Sequence, residues 1–318
     1  MRENIQDRIV LTLKEKKEVD LWELSSLGLF NEVIEIVKKM RKNGLVAFDN
    51  RKGVIRLTPK GKKVYGDLLN FKIDTKFKRR YQKLREKIAT PSFSKNEFDQ
   101  LPLMTKSIFY QLNFMLNKGD VFNKKIVCIG DDDLFGLCLA LTGLPKSILI
   151  VDIDKRIIEY EVKSSKKLKV RVRALEHDLR KPIPKHFQKR FDVFLSQPPD
   201  TLNGLTLFFS RGCEFLREGG VAYIGLGKCD VSLKTYRKFE ERIIKMGFTI
   251  TEILPSFLTY RISGDELKVW PEVNLPKWTK PPRTQWFRVD LLRAEAFDKI
   301  KPMIKGYYRK DILTYTQE

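Results

Sequence analysis

The chain has 318 residues and a formal net charge of +22, with 42% hydrophobic and 32% charged side chains. This is enough apolar material for real cores at a length that suits two domains; no apolar run approaches the ~18 residues of a membrane span, and the charged start MRENIQDR lacks the apolar stretch of a secretory signal. Four separated cysteines (Cys128, Cys138, Cys213, Cys229) form no C-x-x-C pair, which points to a reduced, cytoplasmic protein without structural zinc.

Residues 1–68 read as a winged helix-turn-helix domain. Ile5, Ile9 and Leu13 mark one face of a helix over 3–16, a short helix follows near 21–27, and Val33, Val37 and Met40 mark a third over 30–43. Gly44 is placed to stop that helix. LVAFDNRKGVIRLT (45–58) reads as two strands around a turn, and Thr58-Pro59 as the cap and first residue of another helix. The presumed recognition helix leads with Asn31, Glu32 and Glu35, and carboxylates facing phosphates are unfavourable. A docking or dimerisation module is therefore preferred over sequence-specific DNA reading.

The charge is unevenly spread. Residues 1–50 carry 9 basic and 9 acidic side chains, whereas 51–100 carry 15 and 5. The excess gathers in a helical linker, 69–96, with Lys76, Lys78, Arg79, Arg80, Lys83, Arg85 and Lys87 close together. Such a run is ordinarily a solvated face; contact of 76–87 with a nucleic-acid backbone is the other reading.

From 97 to 318 strands and helices alternate. Strands are expected at 124–130, 147–153, 169–175, 191–197, 219–227 and 248–254, and helices at 132–143, 154–166, 202–217 and 231–246. This is the pattern of a doubly wound α/β sheet. A last strand, 285–292, is expected to run antiparallel to 248–254, as in methyltransferase-like sheets. A Pro- and Trp-containing loop, 269–282, lies between them.

Ligands in such sheets bind beyond the carboxyl ends of the strands, which selects a few segments. In IGDDDLFGLCLALTG (129–143), Gly130 permits the turn and Asp131, Asp132 and Asp133 lie at a helix start. Three carboxylates would repel a pyrophosphate and favour a cationic ligand such as a sulfonium or a polyamine; solvated helix-capping aspartates are the alternative. Asp152, 22 residues after Gly130, is placed to hold ribose hydroxyls, with Asp154 free to cap the following helix. Asp178 in HDLRKPIP (177–184) either accepts from an adenine amino group or serves a turn. His177 and His186 lack the partners of a metal site. LSQPPDTLNG (195–204) sets Gln197 before Pro198-Pro199 and Asp200 after them. The related D/N-P-P-aromatic motif has a ring where Asp200 stands, which argues against a flipped base.

Together these segments resemble the branched-chain polyamine synthases, aminopropyltransferases that make N(4)-bis(aminopropyl)spermidine. The resemblance rests on Phe98-Asp99-Gln100, GDDDL with ALTG (130–134, 140–143), DID (152–154), HDLR-P-P (177–184), FDVF (191–194), PP-x-T-x-x-GL-x-LF-x-SRG (198–212) and GG-x-x-Y-x-GL (219–226). It implies a Rossmann-like catalytic domain that moves the aminopropyl group of decarboxylated S-adenosylmethionine to the secondary amine of spermidine or a similar polyamine, without a metal, in a homodimer. Donor contacts are expected at Gly130, Asp131, Asp132, Asp152 and Asp178, substrate contacts at Asp99, Asp133 and Pro198, and catalysis at Gln197 and Asp200, with Asp200 or one of Asp131, Asp132 and Asp133 supplying the carboxylate that Gln197 lacks. The family pattern has Asp where Gln197 stands, and an amide carries no proton away. A methyltransferase of altered acceptor and a non-catalytic nucleic-acid-binding homologue are the competing readings.

Overall fold

The computed structural model describes residues 3–86, 88, 95–168, 170–227, 231–261, 280 and 284–313. Lys87, Cys229 and, apart from Lys280, the expected loop 269–282 lie outside the described residues.

The N-terminal elements are α1 (Glu3–Lys16), β1 (Glu18–Val19), a 3-10 turn at Glu23–Leu27, α2 (Phe30–Lys42), β2 (Val46–Asp49), β3 (Val54–Leu57), α3 (Pro59–Val64) and α4 (Gly66–Asn70). The strands form a small antiparallel sheet in the order β1-β3-β2. Gly44 sits at φ +70 just beyond α2, a conformation in which a Cβ is strained. Thr58 caps α3, its hydroxyl accepting from the Gly61 amide at 2.9 Å. The basic segment continues into α5 (Thr75–Arg85), capped by Asp74.

A helix then follows where the sequence reading placed none, α6 (Thr105–Asn117). Ile108, Leu112 and Met115 recur at helical spacing and are fully buried, which is the signal for it. The remainder alternates: β4 (Lys125–Ile129), α7 (Phe135–Thr142), β5 (Ser147–Asp152), α8 (Lys155–Ser165), β6 (Val172–Glu176), β7 (Phe191–Ser196), α9 (Leu202–Phe215), β8 (Leu216–Gly227), α10 (Leu233–Lys245), β9 (Phe248–Thr259) and β10 (Arg288–Ala296). These strands form one seven-stranded sheet in the order β6-β5-β4-β7-β8-β10-β9. All neighbours pair in parallel except β10, which is antiparallel to both β8 and β9. The expected α/β sheet with an antiparallel last strand is thus found, and the last two strands extend farther than their sequence patterns indicate.

Alternation along the central strands divides two apolar layers. Ile126, Cys128, Ile148 and Ile150 belong to one; Val127, Ile129, Leu149 and Val151 belong to the other. Both faces of a parallel sheet must be covered, so its strands read as continuous apolar runs. The first layer is continuous with the apolar residues of α1, α2 and α6, so the N-terminal elements share a core with the sheet. Polar contacts reinforce that junction: Arg293 of β10 and the Tyr223 hydroxyl both bond Asp120, at 2.8 and 2.5 Å. Asp7 of α1 pairs with Lys124 at 3.6 Å. Among the described residues no helix is long and apolar enough to cross a membrane.

Candidate functional site

Four parallel strands, β4, β5, β6 and β7, end on one edge of the sheet. The chain order reverses between β5-β4 and β7, so a crevice opens there. Gly130 leaves β4 at φ +67, and its amide bonds the Val151 carbonyl at 2.8 Å. The next amide, Asp131 N–H, donates to Asp152 Oδ2 at 2.8 Å, and Asp152 Oδ1 accepts from the Asp154 amide at 2.8 Å. Asp152 therefore braces two strand ends. Burial pushes its carboxyl up to about 6, against those backbone hydrogen bonds. Asp154 caps α8 by accepting from the Arg156 amide at 2.9 Å, leaving Asp152 free of that duty.

The three consecutive aspartates have three different surroundings. Asp131 turns back into α7, where its oxygens accept from the Phe135 and Gly136 amides, each at 2.7 Å. A side chain at position 136 would collide with Asp131 Oδ2 and Ile150, at 2.7 and 2.8 Å. Burial pushes Asp131 up to about 7; it also raises Glu161, a wholly buried residue of α8, and the charge of Asp131 adds to that rise. Asp133 points the other way, toward α5. Its Oδ1 accepts from Arg85 Nη2 at 2.8 Å and from the Leu103 amide at 2.6 Å. The Tyr81 hydroxyl donates to its carbonyl at 2.7 Å. Asp132, half-buried, lines the crevice and has no hydrogen bond with any described residue. Burial, and then Asp133, Asp152 and Asp131, push its carboxyl well above the ordinary range.

The crevice encloses a cavity of about 200 Å³. Gly130, Asp132, Asp152, Asp178, Asp99 and Gln197 all line it, with Val151, Leu179, Pro199 and Phe208 as its apolar wall. Asp131, Asp133, Pro198 and Asp200 do not line it: the first two are held by the fold as described, and Pro198 is buried. Asp178 carries a forked contact from Arg180, Nε at 3.0 Å and Nη2 at 2.9 Å. Burial raises its pKa, but the Arg180 hydrogen bonds outweigh this and leave it below the usual range. Burial lowers the pKa of His177, and its Nε2 lies 3.3 Å from the Lys181 carbonyl. Among the described residues no cluster of three metal-ligating side chains occurs.

At the far side, Gln197 follows β7 and lies against β8. Its Oε1 accepts from the Tyr260 hydroxyl at 3.3 Å. A Cβ on Gly225 would overlap that same oxygen, and one on Gly227 would overlap the Asp200 carboxylate. The Gly227 amide donates to Asp200 Oδ1 at 2.9 Å. Two glycines two apart on a strand leave one face of it flat, and here the flat face receives the Gln197 and Asp200 side chains. The spacing of Gly225 and Gly227 was a readable signal for this role. Tyr260 and Arg85 carried none: one follows a strand far along the chain, the other is one cation in a run.

An apolar-walled cavity with carboxylates converging on it suits a cationic ligand with an apolar or aromatic part. Residues 80–315 match the family model described as the branched-chain polyamine synthase A C-terminal domain. The N(4)-bis(aminopropyl)spermidine synthase of Methanocaldococcus jannaschii is 30% identical over 315 residues, covering 92% of this chain and 87% of that protein. An uncharacterized protein of the same organism is 39% identical over 158 residues, 50% of this chain; that match spans only 39% of the relative's length. The crystal structure of the Thermus thermophilus branched-chain polyamine synthase, in complex with N4-aminopropylspermidine and 5'-methylthioadenosine, superposes with a TM-score of 0.68 at 24% identity, covering 98% of this chain and 92% of that one.

Proposed function

The chain belongs to the branched-chain polyamine synthase family, and from that premise we propose that it is an aminopropyltransferase. It would take the aminopropyl group of decarboxylated S-adenosylmethionine and add it to the secondary amine of spermidine or a similar polyamine, releasing methylthioadenosine. The observation that carries this reading is the acid-lined cavity at the strand ends, with Asp132 unpaired within it. Both substrates are cations, and a half-buried carboxylate with no protein partner is stabilised in its charged form by either.

The roles divide as follows. Asp152 holds the ribose hydroxyls with the lone pairs that its two backbone hydrogen bonds leave free. The Asp178 turn meets the adenine, with Phe208 as apolar wall. Asp99 and Asp132 face the amino groups. The amine nitrogen forms a bond to the carbon beside sulfur as the carbon–sulfur bond breaks and its electron pair stays on sulfur. The amine must first lose its proton, and Asp132 is the carboxylate left open to take it, since Asp131 and Asp133 are committed to α7 and Arg85. Gln197 and Asp200 shape the acceptor end without Gln197 acting as a base.

We also read residues 1–68 as a winged-helix-like docking module, 69–96 as a basic helical linker, and 97–318 as the catalytic unit of a homodimer. The test of function is direct. Purified protein with spermidine and the decarboxylated donor yields branched products by mass spectrometry, and calorimetry gives tighter binding of the decarboxylated than of the carboxylated donor.

A further inference from the structure

Helix α5 carries a pattern that aminopropyl transfer does not use. Lys76, Arg79, Arg80 and Lys83 follow the spacing i, i+3, i+4, i+7, and at about 100° per residue they fall within an arc of about 100° on one side of the helix. All four are exposed, and none makes an ion pair with any described residue. The opposite side is locked down: Phe77, Tyr81 and Arg85 are buried, and Tyr81 and Arg85 are bonded to Asp133. The nearby acid Asp74 is occupied in capping the helix. Lys78, beside the stripe, lies over the Phe109 ring at 5.9 Å. The helix therefore presents a rigid row of unneutralised cations in a segment where 15 basic residues face 5 acidic ones.

We infer that this face of α5 docks on the phosphate backbone of a nucleic-acid duplex. The row from Lys76 to Lys83 spans about 10 Å at a rise of about 1.5 Å per residue. One duplex strand carries a phosphate every ~3.4 Å of axis, so the row covers about three of them. The aromatic side chains of α5 face inward, so the surface lacks the stacking platform that binds single strands. It also lacks the exposed apolar centre of a protein interface. Contact is with the backbone and not with base edges, so binding is independent of sequence.

The test is fluorescence anisotropy of a labelled 20-base-pair DNA duplex with the full chain, across 50 to 200 mM salt. Wild type binds at 50 mM and weakens steeply as salt rises. A variant with Lys76, Arg79, Arg80 and Lys83 each replaced by Gln binds at least tenfold more weakly. Its salt slope is smaller by about 3, at ~0.9 for each of the three phosphates covered. A charge-matched control with Lys146, Lys163, Lys166 and Lys167 replaced by Gln keeps the wild-type slope. Thermal unfolding followed by circular dichroism checks that both variants fold, and the aminopropyl assay is read separately, so failure of either proposal is visible alone. Absence of duplex binding at 50 mM salt, equal binding by the α5 variant, preference for the single strand, or salt-dependent binding of polyglutamate in place of the duplex would each overturn the assignment.

Discussion

Arg85 on the basic helix α5 reaches Asp133 of the acidic turn at 2.8 Å, with both side chains almost wholly buried. One cation of the basic run is thus part of the support beneath the site, while its exposed neighbours face solvent. Removing one partner of a buried pair leaves an uncompensated charge, which costs about 3–5 kcal/mol. Arg85→Met is expected to lower stability by that order in urea unfolding. Pairing it with Asp133→Asn should recover part of the loss, because no buried charge is then left alone.

The three aspartates separate by experiment. Asp132→Asn is expected to reduce kcat/KM for aminopropyl transfer by about 10²–10⁴, the usual range for a lost acid–base group, while the unfolding midpoint near neutral pH does not fall, because the raised carboxyl is replaced by a neutral group. Asp131→Asn weakens the cap of α7 and is expected to reduce stability by about 1–2 kcal/mol. Steady-state kinetics and urea unfolding on both variants distinguish a chemical role from a structural one.

Gln197 precedes Pro198-Pro199 at the end of β7, with its Oε1 already engaged by Tyr260, and an amide there carries no proton away. Gln197→Asp is expected to raise the transfer rate by at least tenfold and to add an acidic limb to the pH–rate profile. Gly225→Ala pushes a methyl group into Gln197 Oε1, and is expected to raise KM for the polyamine more than KM for the donor.

Stability should depend on pH through the buried carboxyls. Burial raises Asp131 from 3.8 to about 7 and Asp152 from 3.8 to about 6. In that window the folded chain binds more protons than the unfolded one, so stability is fully present below about pH 4 for these groups and is lost as pH rises toward 7. Glu161 and Asp132 shift in the same direction. Asp152→Asn is expected to flatten the fall in unfolding free energy between about pH 4 and pH 6, measured by urea titration.

What could be read from the sequence follows from what is local. The α2 stop at Gly44, the cap at Thr58 and the strand runs of the sheet depend on neighbouring residues, and the structure has them. The strand-end rule selects the segments of Gly130, Asp132, Asp152, Asp178 and Gln197, and these five line one crevice. It did not separate Asp132 from Asp131 and Asp133, because that depends on which carboxylate meets Arg85 and which meets the α7 amides. Tyr260 lies 63 residues from Gln197, a pairing set by tertiary packing alone. The charge of +22 resolves the same way: an acid-lined cavity inside, and unpaired cations on the outer face of α5.

Aminopropyl transfer is decided by mass spectrometry of a reaction holding protein, spermidine and decarboxylated S-adenosylmethionine. The expected products are spermidine carrying one or more added aminopropyl groups and one methylthioadenosine for each group added. Folded protein that yields neither product with any polyamine acceptor, or that binds the carboxylated donor in preference, would contradict it.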